Sequence, residues 1–98
     1  MAIIEVTLVP IGTKTTSLSP YIAEAEKVLK DFDVKYELNP MGTVIEADID
    51  LGLKAVRAMQ EQVFEKGAER VYTVLKIDDR RDKKASLEEK IKSVKEKM

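Results

Sequence analysis

The chain has 98 residues, of which 44% are hydrophobic and 36% charged, and its formal net charge is −1. It is too apolar for disorder, and it carries no excess charge to draw in nucleic acid or an anionic membrane. It contains no Cys and no His, which excludes disulfides, thiolate metal sites and a cysteine nucleophile, and removes the commonest general base and zinc ligand.

This length fits one domain covering residues 1–98. A domain of this size buries only roughly 60–70% of its unfolded surface, so subunit association would enlarge a modest core. Met1-Ala2-Ile3-Ile4-Glu5 has no basic n-region, and no apolar run approaches the roughly 20 residues of a bilayer span. The expectation is a cytoplasmic protein with no cofactor and neither membrane nor nucleic acid as partner.

Ile3 to Ile11 reads as a strand, with Ile4, Val6 and Leu8 on one face and Glu5, Thr7 and Val9 on the other. Pro10 and Gly12 end it, and a hydroxyl-rich loop, Thr13 to Ser17, follows. Ser19-Pro20 predicts a helix start with Ser19 as N-cap. Ile22, Ala25, Val28, Leu29 and Phe32 then recur at helical spacing. Lys35 to Asn39 and Gly42 to Ile49 read as a hairpin turning at Pro40-Met41. Asp50 is expected to cap a second helix, with Leu53, Val56, Met59, Gln60, Val63 and Phe64 on its inner side and Gly67 just past its end. Arg70 to Asp78 is the last strand. Beyond the charged run Asp78 to Lys84, Ser86 and Glu89 have capping-box spacing, and Leu87, Ile91 and Val94 form the narrow stripe of a final helix.

The order β-α-β-β-α-β plus a terminal helix is the split βαβ signature of an α+β, ferredoxin-like sandwich. The antiparallel sheet is expected in the order 4-1-3-2, with both main helices on one face. The other face, with Glu5, Thr7, Val9, Val44, Glu46, Lys35, Glu37, Asn39, Tyr72, Val74 and Lys76, has no cover within the subunit. It is too apolar to be simply solvated and too polar for a dry core, which suits a half-wet subunit interface with a polar pocket.

Val9-Pro10-Ile11-Gly12-Thr13, Thr16-Ser17-Leu18-Ser19, the stretch Tyr36 to Glu46, Gly67 to Val71 and Lys76 to Lys83 together resemble the thiamine-binding protein family. The blocks match in order over nearly the whole chain. The resemblance implies a ferredoxin-like fold, dimers formed through sheet faces, and dimers paired into a homotetramer. It also implies binding of thiamine or its hydroxymethyl-pyrimidine portion without catalysis. Ala47 stands where the family often has Gly.

Glu5, Glu37 and Glu46 on the open face could attract a thiazolium cation and accept from an exocyclic amine, with Thr7 beside them. Alternatively, Lys35 and Lys76 neutralise them across an interface. Thr43, after Gly42, offers one hydroxyl at a point of close approach, or is simply a β-branched residue leaving a turn. Ser17 lies in a loop that could meet an anion at a helix N-terminus, or that is polar capping alone; no Walker A pattern is present. Ser17 and Thr43 are expected at opposite ends of the sheet. Asp78, Asp79 and Asp82 alternate with Arg80 and Arg81, which suits a salt-bridged surface better than a cation site. The final helix is expected to dock on a neighbouring subunit or along a sheet edge. Three functions compete: a thiamine-binding protein, a small-molecule enzyme with an interface carboxylate as general base, and an RNA-binding module. The last is disfavoured by central strands without aromatic residues. An oligomer without a small ligand remains the alternative to all three.

Overall fold

The computed structural model describes residues 1–82 and 86–98. Lys83 and Lys84, the end of the charged run and of the family-like block, lie outside the described residues. The elements in chain order are β1 (Ala2–Ile11), α1 (Ser19–Val28) with a 3₁₀ turn (Leu29–Asp31), β2 (Lys35–Asn39), β3 (Gly42–Ala47), α2 (Ile49–Glu65), β4 (Arg70–Asp79) and α3 (Leu87–Glu96). The sheet is antiparallel and ordered β2-β3-β1-β4, the 4-1-3-2 arrangement read from the other edge. This is the ferredoxin-like α+β sandwich.

The core lies between one sheet face and two helices. Strict alternation along β1 sends Ile4, Val6 and Leu8 inward, where they meet Ile45 and Ala47 of β3. Ala25 and Leu29 come from α1 and its 3₁₀ turn, and Ala55, Val56, Met59 and Val63 from α2. Burying a side chain the size of Met59 or Val63 stabilises by roughly 1.5–3 kcal/mol. Gly52 lets α2 approach the sheet, because a Cβ there would sit 2.5 Å from Ile4 Cδ1.

Several local expectations are corrected. Leu18, not Ser19, occupies the N-cap position of α1; Ser19 and Pro20 are already in the first turn. Asp48, not Asp50, precedes α2, because its extended backbone (φ −56°, ψ 140°) ends β3 at Ala47 rather than Ile49. Leu53 and Phe64 are exposed on the flank of α2, and Gly52 and Ala55 take the inner positions, since the small residues permit the closest approach to the sheet. Gly67 follows the end of α2 with φ +121°, a conformation that favours glycine.

The Ser86 hydroxyl accepts from Glu89 N–H at 3.1 Å and caps α3. The register puts Lys35, Glu46, Ile3 and Asp78 in one row on the face away from α1 and α2. Glu88 of α3 pairs with Lys35, and Lys90 with Asp78, so α3 reaches both edge strands at that end. The open face is therefore not wholly bare within one chain. Arg80 pairs with Asp82 and Arg81 with Asp79, as a salt-bridged surface requires. These hydrogen bonds hold both guanidinium groups above their ordinary pKa.

Candidate functional site

The β1–α1 loop and the β2–β3 hairpin sit at the same end of the sheet. This follows from pairing direction: β3 runs antiparallel to β1, so it begins where β1 finishes, with Thr43 opposite Val6. The expectation that Ser17 and Thr43 lie at opposite ends is thus overturned. Both line one cleft of about 1140 Å³ between α1 and the hairpin.

The cleft exists because α1 leaves edge strand β2 uncovered. Tyr36 and Leu38 share the inward face of the sheet with Ile45 and Thr43, yet they are 36% and 60% exposed. They form an apolar wall with Met41 of the turn. Thr43 is only 3% exposed. A hydroxyl that deep must be hydrogen-bonded, and it donates to Oε1 of Glu26 on α1. Glu26 is half-buried. The neighbouring Lys27 is turned to Glu24 at 3.1 Å, and among the described residues no cation pairs with Glu26.

The loop organises itself. Thr13 Oγ1 donates to the Thr15 carbonyl at 2.7 Å, and Ser17 N–H donates to Thr15 Oγ1 at 3.1 Å. That leaves the Ser17 hydroxyl without a protein partner among the described residues. Thr7 ties the hairpin down: its Oγ1 donates to the Met41 carbonyl at 2.9 Å. Gly42 makes this possible, since a Cβ there would lie 2.9 Å from both Thr7 Oγ1 and the Val6 carbonyl oxygen. Ala47 is buried in the core rather than in the cleft wall.

The remaining expected residues gather elsewhere. Glu5, Val44 and Glu37 form one row across the open face, with the row of Glu46 on one side and that of Thr7 on the other. Glu5 meets Lys76 at 3.6 Å within the same chain, while Lys35 turns to Glu88 rather than to Glu46. Glu46 is 7% exposed and has no cationic partner among the described residues. So the structure brings Ser17 and Thr43 to the cleft and leaves Glu5, Glu37 and Glu46 on the open face, while Thr7, in register with the open face, also lines the rim of the cleft beside Met41. Glu26 was missed. Its signal was the parity of Thr43, which shares the face of Ile45 and so needs a polar partner from the helix above. Among the described residues no group of three carboxylates could hold a metal ion. No helix there is long and apolar enough to cross a membrane.

Comparison with known proteins places this architecture. The family model described as thiamine-binding protein matches residues 4–95. The chain belongs to this family. Its relatives include a UPF0045 protein of Methanothermobacter thermautotrophicus, 52% identical over 95 residues and covering 96% of each chain. The crystal structure of a hypothetical protein from Methanocaldococcus jannaschii superposes with a TM-score of 0.89 at 41% identity, over 97% of this chain and 96% of that one. A Thermotoga maritima protein described as a putative thiamine biosynthesis/salvage protein shares the fold, with a TM-score of 0.78 at 22% identity over 95% and 97% of the two chains.

Proposed function

We propose that the chain binds thiamine, or its hydroxymethyl-pyrimidine moiety, in the cleft between α1 and the β2–β3 hairpin, and releases it unchanged. One observation carries this reading: Ser17 and Thr43 line one cleft together with Glu26, a carboxylate that pairs with no cation among the described residues. A partly desolvated carboxylate attracts the thiazolium charge and accepts from the exocyclic amine. The exposed side chains of Tyr36, Leu38 and Met41 supply apolar surface for a flat heterocycle. Membership of the thiamine-binding family, and the description of the Thermotoga maritima neighbour, favour the same ligand class. Binding without catalysis is part of the proposal, in line with membership of the thiamine-binding family. The proposal includes a cytoplasmic, single-domain chain that assembles as a homotetramer.

A second reading keeps the ligand at a subunit interface on the open face, with Glu5, Thr7, Glu37 and Glu46 around it. The nearly buried Glu46, without a counterion among the described residues, favours it. Isothermal calorimetry with thiamine and with the pyrimidine separates the two. Binding lost in Glu26→Ala and retained in Glu46→Gln supports the cleft, and the reverse supports the open face. No heat with either compound would refute both.

A further inference from the structure

We infer that Glu26 and Thr43 form an acceptor-only floor that selects an amino heterocycle and rejects its oxo counterpart; this rests on the cleft being the ligand site. A threonine hydroxyl has one proton. Thr43 gives that proton to Glu26 Oε1, so towards a ligand its oxygen can only accept. The Glu26 carboxylate, as the acceptor of that bond, also has only lone pairs to offer. No lysine or arginine among the described residues reaches Glu26 to reverse this polarity.

Two adjacent acceptors make a chemical demand. A ligand group seated there must bring an N–H, an O–H or a positive charge. An exocyclic amine on a pyrimidine satisfies the demand by donating to the carboxylate. A carbonyl at the same ring position sets a third acceptor against two others, and the carboxylate oxygen facing the ligand is left without a donor. A hydrogen bond to a charged group, exchanged for an unsatisfied acceptor, corresponds to roughly 10- to 100-fold in affinity. Thr43 itself is a positioning residue: its buried hydroxyl holds one carboxylate oxygen and leaves the other for the ligand.

The test is a calorimetric comparison of hydroxymethyl-pyrimidine with the analogue in which carbonyl replaces amine. Wild-type protein is expected to bind the amine form at least about 10-fold more tightly. Glu26→Gln, which places a donor on the floor, should erase or invert that ratio. Thr43→Ser keeps the hydroxyl and should preserve the ratio, whereas Thr43→Val should lower it. Circular dichroism checks that each variant is folded. If Glu26→Gln fails to fold, the wild-type ratio and the Thr43 pair decide. Equal affinity of wild-type protein for the two compounds, or an unchanged ratio in folded Glu26→Gln, overturns the inference while leaving the cleft as a binding site. Failure of wild-type protein to bind thiamine or either pyrimidine overturns the functional reading itself, and this inference with it.

Discussion

Replacing Gly42 with alanine tests how the hairpin is held against β1. The added Cβ would lie 2.9 Å from Thr7 Oγ1 and 2.9 Å from the Val6 carbonyl oxygen, where ordinary contact begins at 3.4 Å. Thr7 can turn away, but only by giving up its bond to the Met41 carbonyl, which costs about 1 kcal/mol. The Val6 carbonyl belongs to a central strand and cannot turn, so β3 must back off by a few tenths of an ångström. Overpacking of that kind costs about 1–3 kcal/mol. Together the loss is about 2–4 kcal/mol, which for a domain of this size lowers Tm by roughly 10 °C or more. Urea unfolding followed by circular dichroism measures it. Gly12→Ala is the control, because its Cβ would meet open space and only its φ of +83° is strained; it should lose about 1 kcal/mol. If Gly42→Ala proves as stable as wild type, or more stable than the control, the close approach of hairpin to β1 is wrong.

Other substitutions address the core and α3. Met59→Ala, at a side chain 2% exposed between α2 and the sheet, should destabilise by about 2–5 kcal/mol in the same unfolding assay. Ser86→Ala removes the α3 cap and should weaken that helix by about 1 kcal/mol; amide exchange should speed up in residues 87–96 while the β1 amides stay unchanged. The Lys35–Glu88 and Lys90–Asp78 pairs are about half exposed, so each contributes about 0–1 kcal/mol. Molar salt should raise exchange in α3 and leave the core alone.

The alternation along β1 and the helical spacing of α1 were readable in the sequence, because burial on one face imposes those periods directly. Strand order followed from element order. Helix boundaries were less legible: Ser19 looks like a cap, yet the turn begins at Leu18, and the choice between Asp48 and Asp50 depends on where the backbone leaves the sheet. The inner side of α2 was misread at Leu53 and Phe64 because hydrophobicity alone does not reveal that Gly52 and Ala55 permit the closer approach. The candidate residues Ser17 and Thr43 were legible one by one, but their meeting was not. It depends on pairing direction, which puts loop and hairpin at one end. Glu26 carried no signal of its own; only a polar residue at a core-facing position of β3 called for it.

The central claim is that a thiamine-like ligand occupies the cleft beside α1. Titrating isotope-labelled protein with thiamine, and following each backbone amide by NMR, tests it most directly. The account predicts shifts clustered at Ser17, Glu26 and residues 38–43. Shifts confined to Glu5, Glu37 and Glu46, or none at saturating ligand, would contradict it.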